Sequence, residues 1–546
     1  MKNYTLAKLY NETFQNNWDK LAFTDYEGKD FKYSEVAKTI MSLQLFYQIM
    51  GLQKGDKIAV LGRNSANWGA TFLSAVSSGL VIVPVLPDFN KSDTNHIINH
   101  SEAKIVVGAK SLLDKIDMEN LPLTQAVLVL EDFSLFKAKD ENAQYKIADS
   151  FQYYDKNQLK RTGFAFQEWK PDEPCVISYT SGTSGFTKGV MIPERSLVSN
   201  IIFAREHMPL KTGDKIVSFL PMAHVYGLLF EFLFPLSLGC HITFLNKMPA
   251  PALLTKVFGE IKPHLVLSVP LIIEKIYKKR LLPTLEKPVI KILLHIPGIS
   301  NILLKKIKAK LVETFGGRFF EIVIGGAPLN ADVEKFFKRI NFPFSIGYGM
   351  TECGPLISYE AWDKTMQSSA GKLVDRMEVR IDSEDPYNVV GEIQVKGVNV
   401  MLGYYKNEEA TRESFTDDGW LKTGDLGIID KNNFIYIKGR SKNMLLGPSG
   451  QNIYPEEIES KLTNQPFIAE CVVTERKGKL IALIYPDLEA LKTGNIEESA
   501  IQKIMEENIK KTNHELPKYE QLAGFEIVNE EFEKTPKKNI KRFKYV

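Results

Sequence analysis

The sequence predicts an α/β fold with a large layered N-terminal domain that carries a small β subdomain, followed by a C-terminal α+β domain. Three observations predict it. Strand-like and helix-like runs alternate over the first 170 residues, closely spaced strands with polar turns follow Gly371, and glycines and prolines crowd Gly439 to Pro455. With 546 residues, 44% of them hydrophobic, the chain is long enough to bury more than one core.

In chain order, Tyr33 to Gln48 reads as a helix, Lys57-Ile-Ala-Val-Leu as a strand and Trp68 to Ser78 as a helix. Val81-Ile-Val-Pro-Val, Lys104-Ile-Val-Val and Gln125-Ala-Val-Leu-Val-Leu continue as short strands. Lys215 to Leu220, Leu265 to Val269 and Phe320 to Ile324 follow in the same pattern. Gly391 to Val395 and Phe434 to Ile437 belong to the β subdomain, about residues 355–438. The boundary of the large domain falls at 438, and 439–546 form the C-terminal domain. There Ala469 to Thr474 and Leu480 to Tyr485 read as strands and Ile496 to Asn513 as a helix.

Composition narrows the function. The four cysteines lie far apart with no Cys-x-x-Cys, which argues against a disulfide scaffold or a zinc knuckle. The N-terminus lacks a signal-peptide core, and no apolar run is long enough to span a membrane. A cytoplasmic enzyme is expected. A net charge of +3, from 69 basic and 66 acidic residues, argues against nucleic acid as a partner. The positive charge is local: Lys534, Lys537, Lys538, Lys541, Arg542 and Lys544 crowd a tail without an acid after residue 533. That tail reads as solvated surface or as an arm toward a polyanionic substrate. Val289 to Lys310 is apolar and basic and is broken at Pro297-Gly298. It reads as a docked pair of surface helices or as a peripheral contact with anionic lipid on the inner face of a membrane.

The densest chemical signal is Tyr179-Thr-Ser-Gly-Thr-Ser-Gly-Phe-Thr-Lys188-Gly-Val190, set between the strand-like runs Cys175-Val-Ile and Val190-Met-Ile. Glycines let backbone amides approach a phosphate chain, hydroxyls add donors and a lysine adds charge. A Walker A loop needs Gly-Lys-Ser/Thr opening a helix, and here a strand-like run follows. An ordinary Ser/Thr/Gly turn has the same composition, so both readings stand on this segment alone.

Further segments follow in order: Pro221-Met-Ala-His-Val-Tyr-Gly227, Gly325-Gly-Ala-Pro328 and Gly347-Tyr-Gly-Met-Thr-Glu352. After them come Asp418-Gly-Trp-Leu-Lys-Thr-Gly-Asp425, Gly439-Arg-Ser-Lys442 and Gly450-Gln-Asn-Ile-Tyr-Pro-Glu-Glu-Ile-Glu459. Together they resemble the adenylate-forming superfamily of acyl-CoA synthetases, luciferases and peptide-synthetase adenylation domains. Within it the chain is most similar to long-chain fatty acid–CoA ligases. The resemblance implies a mobile C-terminal domain and a two-step reaction. A carboxylate attacks the α-phosphate of ATP, forming acyl-AMP and releasing pyrophosphate, and a thiol then displaces AMP. ATP, Mg²⁺ and CoA are the implied cofactors, with a fatty acid as substrate.

By the same resemblance, Thr180, Ser181, Gly182, Thr183, Ser184, Gly185 and Lys188 embrace the β- and γ-phosphates. Thr351 donates to the α-phosphate, and Glu352, with Thr183, holds Mg²⁺, which needs few protein ligands because it keeps waters and phosphate oxygens. Tyr348 stacks on adenine beside the backbone of Gly326 and Ala327. Asp425 accepts the ribose hydroxyls, Arg440 reaches ribose or phosphates, and Lys442 is the hinge. His224 lies near the carboxylate and orients it. A base is not needed there, since a fatty acid is ionised at neutral pH. The family's terminal catalytic lysine has no match in a gapless comparison, because Asn539 stands at its position. Lys538, one residue earlier, substitutes through a small register shift. Weakened adenylation, or specialisation for the thioester step, is the alternative to that shift. The alternative functions are a fatty acyl–acyl carrier protein synthetase, whose acceptor presents the same thiol, another acyl-adenylating enzyme, or a non-catalytic nucleotide- or acyl-binding protein.

Overall fold

Ser65 shows how local chemistry starts an element. Its backbone is extended and its hydroxyl accepts the Trp68 amide, and the apolar run that follows winds into the helix Ala66–Ser77. That helix is buried almost all round and joins the strands Lys57–Leu61 and Val81–Val85, whose near-continuous Val/Ile character suits strands covered on both faces. In this computed structural model residues 4–181, 187–285, 287–446, 451–476, 478–535 and 540–545 are described, without the side chains of 181, 279 and 280.

The two strands lie in the middle of an eight-stranded sheet. Its order is Gly403–Tyr404, Thr187–Pro193, Pro174–Ser181, Val81–Val85, Lys57–Leu61, Ala103–Gly108, Ala126–Val129 and Leu135–Ala138. Pairing is parallel at the centre and antiparallel toward both edges. A second sheet runs Lys215–Ser218, His241–Phe244, Leu21–Asp25 and Asp30–Lys32, and a third is the parallel set Leu265–Ser268, Glu321–Ile324 and Phe344–Ile346. The β subdomain is the antiparallel sheet Met377–Asp382, Gly391–Gly397, Leu421–Ile429 and Ile435–Arg440. One continuous core covers these elements, from Leu6 to Ile435.

A separate core begins at Ile453. The helices Pro455–Thr463 and Glu498–His514 pack on the sheet Ile468–Arg476, Lys479–Pro486 and Gly524–Ile527 through Ile458, Leu462, Val473, Ile484 and Met505. The fold is therefore a large N-terminal α/β domain with mixed sheets and a smaller C-terminal α+β domain. All four cysteines are buried thiols. Among the described residues no helix is long and apolar enough to cross a membrane.

Two sequence expectations change. The strands around the Ser/Thr/Gly segment are longer than their apolar runs: Thr180 pairs with Lys188 and Ser181 with Thr187 in the ladder. Gly182, Thr183, Ser184 and Gly185 lie outside the described residues. The basic tail is not plain solvated surface. Lys534 pairs with Glu470 at 2.6 Å, Lys541 and Lys544 both pair with Glu533, and the half-buried Arg542 binds Glu459 through two bonds of 2.7 Å. Lys537, Lys538 and Asn539 lie outside the described residues. The segment 289–310 is the expected pair of docked surface helices, Pro288–Leu293 and Ile299–Thr314, with one docked face and one exposed face.

Candidate active site

Ligands in α/β folds bind where the carboxyl ends of parallel strands open into loops. Here three of the glycine-containing segments leave such ends: Ser218 leads to Pro221–Gly227, Ile324 to Gly325–Pro328 and Ile346 to Gly347–Glu352. Gly326 has φ +90°, a conformation that a side chain would strain. A Cβ on Gly325 would meet the Tyr226 ring at 3.1 Å. The Tyr226 hydroxyl donates to the Val323 carbonyl at 3.0 Å, which ties the His224 loop to the Gly325-Gly326-Ala327 loop.

Two residues that the sequence reading missed brace the His224 loop. The fully buried Glu231 accepts the Phe219 and Leu220 amides, each at 2.9 Å; burial pushes its carboxyl well above the usual range, and these amides partly oppose the shift. Asn64 donates to the Leu220 carbonyl at 2.7 Å and accepts the Met222 amide at 2.9 Å. His224 itself is half-buried at the start of the turn Val225–Gly227, its carbonyl accepting the Leu228 amide.

On the phosphate side, Thr351 and Glu352 share one 3₁₀ turn, and the Glu352 carbonyl accepts the Met401 amide at 2.8 Å. The Tyr404 hydroxyl donates to Glu352 Oε1 at 2.9 Å, and Lys188 Nζ sits 4.9 Å from the centre of the Tyr404 ring. Tyr404 is a third missed residue. It joins the lysine of the Ser/Thr/Gly hairpin to the carboxylate of the Gly-Tyr-Gly-Met-Thr-Glu turn. A half-buried carboxylate is an oxygen donor of the kind that fits Mg²⁺, which takes few protein ligands.

On the nucleoside side, Asp425 is buried and paired across the ladder with Arg440. Its Oδ2 accepts the Tyr348 hydroxyl at 2.8 Å and its Oδ1 lies 2.9 Å from Arg440 Nε. Burial raises its carboxyl above the usual range, Arg440 and Tyr348 oppose the shift, and the nearby Glu352 charge adds to it. The two clusters therefore adjoin. Arg440, read as a ribose or phosphate ligand, spends its Nε on Asp425. Each carboxylate oxygen still has a second lone pair for a ribose hydroxyl.

Lys442 is exposed in the 3₁₀ turn Ser441–Asn443, between the two cores. The Ser441 hydroxyl donates to the Gly424 carbonyl at 3.2 Å, and the Asn443 amide donates to Glu456 at 2.5 Å. The domains also meet where Lys278 donates to the Thr463 carbonyl at 3.2 Å and Asn330 bonds Asn464.

Asp425→Ala is expected to weaken ATP binding by about 1.5–3 kcal/mol, or about ten- to a hundredfold in Kd, measured by calorimetric titration. Unchanged affinity would remove the ribose from this carboxylate.

The pattern of the family described as AMP-binding enzyme matches residues 10–405, and that of the AMP-binding enzyme C-terminal domain matches 443–546. The long-chain-fatty-acid–CoA ligase FadD15 of Mycobacterium bovis is 28% identical over 491 residues, which cover 84% of this chain and 78% of the relative. ATP-bound MatB from Rhodopseudomonas palustris has the same fold, with a TM-score of 0.77 at 23% identity over 99% of this chain and 98% of that one. So does o-succinylbenzoate CoA synthetase of Bacillus subtilis in complex with ATP and magnesium, with a TM-score of 0.75 at 20% identity over 98% of each chain.

Proposed function

The chain belongs to the AMP-binding enzyme family of adenylate-forming ligases, and from that premise we propose that it activates a long-chain fatty acid as acyl-AMP and passes the acyl group to the CoA thiol. The observation that carries the reading is the contact of Lys188, Tyr404 and Glu352 beside the buried Asp425–Tyr348 pair. The long-chain substrate class is supported by the curated relative from Mycobacterium bovis.

In the first step a carboxylate oxygen bonds to the α-phosphorus, and the bond from that phosphorus to the bridging oxygen of pyrophosphate breaks. Both partners are anions, so the residues must supply charge and donors rather than a base. Lys188 brings a cation to the phosphates, Thr351 a hydroxyl, and Asp425 with Tyr348 fixes the nucleoside. Glu352 would hold Mg²⁺, which would withdraw charge from the phosphates. His224 orients the carboxylate. In the second step the thiol sulfur bonds to the acyl carbon, AMP leaves with the electron pair of the acyl–phosphate bond, and the thiol proton goes to water.

Release of pyrophosphate from ATP and Mg²⁺ with a series of straight-chain acids from acetate to stearate, with CoA or phosphopantetheinylated acyl carrier protein, tests the proposal. Long-chain acids with CoA are expected to give thioester. Thioester on the carrier protein alone would reassign the acceptor. Absence of exchange with every acid would make the protein a nucleotide- or acyl-binding protein instead.

A further inference from the structure

The helix pair at residues 288–314 presents an apolar face that the described residues leave in water. Helix Ile299–Thr314 docks toward helix Pro251–Ile261 through Leu304, Ile307 and Leu311. The other side of the pair exposes Val289, Ile292 and Ile302 at 65%, 64% and 61%, with Ile296 and Ile299 between them also exposed. A lone exposed isoleucine is ordinary, but five large aliphatic side chains between residues 289 and 302 are a patch. Gly298, at φ +84°, turns the chain between the two helices and keeps both parts of the patch on one short hairpin.

Charge says what covers this face. Lys287 precedes the aliphatic stretch, Lys291 lies within it, and Lys305, Lys306, Lys308 and Lys310 follow it, with no Asp or Glu anywhere from 287 to 310. We propose that this helix pair seats the protein on a bilayer that contains anionic lipid. The aliphatic side chains enter the interface, and the flanking lysines meet headgroup phosphates. Long lysine stems reach past a buried apolar strip to a charged layer above it, which is the order of layers in a bilayer surface. A second copy of the chain is a poor occupant, because a two-fold contact would set these lysines against each other.

Flotation of the full-length protein with phosphatidylcholine vesicles, with and without phosphatidylglycerol, tests this. Binding is expected on the anionic vesicles at low salt, and about tenfold or more weaker on neutral vesicles or at high salt. The double variant Ile292→Ser/Ile302→Ser, and separately Lys305→Glu/Lys306→Glu, should each lower the anionic binding about tenfold or more while ATP–pyrophosphate exchange in solution persists. Failure to float at low salt, or parental binding by the isoleucine variant, overturns the proposal. So does a dimer in vesicle-free sedimentation velocity that the same variant dissociates, since the face would then belong to a second copy.

Discussion

Glu352→Gln is expected to slow Mg²⁺-dependent ATP–pyrophosphate exchange by about 10²–10³-fold with the fold intact. The amide keeps the size of the side chain and can still accept from the Tyr404 hydroxyl, which now bonds Glu352 Oε1 at 2.9 Å. What disappears is the negative charge that a divalent cation needs. Tyr404→Phe separates orientation from ligation: it leaves the carboxylate but removes the bond that aims it. A rise of about tenfold in KM for MgATP with a smaller change in kcat is the expected result. Exchange in Glu352→Gln at the parental rate and the parental Mg²⁺ dependence would take the metal away from this turn.

The central strands were legible because their chemistry is local. Lys57-Ile-Ala-Val-Leu and Val81-Ile-Val-Pro-Val are β-branched runs bounded by turns, and both form strands over those same residues. Thr180 and Ser181 were read as loop for the same local reason, since Ser, Thr and Gly favour turns. The ladder with Thr187 and Lys188 extends into them because the partner strand supplies their backbone bonds. Propensity yielded to pairing.

The site follows the same division. Glu352, Asp425 and Lys188 stand out within runs of unusual composition, so their candidacy was visible. Tyr404 and Glu231 sit in ordinary surroundings, and Asn64 acts on a carbonyl 156 residues away. Bracing residues of this kind carry no signal until the fold brings the segments together. The basic tail misled for a related reason: charge density alone reads as solvated, while Glu459, Glu470 and Glu533, which neutralise it, are brought to it only by the folded C-terminal domain.

Lys538→Ala is expected to reduce adenylation by about 10²–10³-fold, with thioester formation from supplied acyl-AMP largely retained. The first half-reaction develops charge at the α-phosphate and calls for a cation there. Asn539, at the place where the resemblance puts a lysine, supplies only a neutral donor. The neighbouring cations are already committed: Lys534 to Glu470 and Glu531, Lys541 and Lys544 to Glu533, and Arg542 to the half-buried Glu459 of helix Pro455–Thr463. The ends of the segment are fixed as well, because Lys534 and Ile540 pair across it and Ile540 packs with Val472, Leu483 and Phe532. Lys537→Ala is the control, with an expected effect of a few-fold at most, and Asn539→Lys should restore part of the rate in the Lys538→Ala background. Equal losses in Lys537→Ala and Lys538→Ala would mean that the segment acts through its total charge. Parental adenylation in Lys538→Ala would assign the cation of the first step to Lys188 alone.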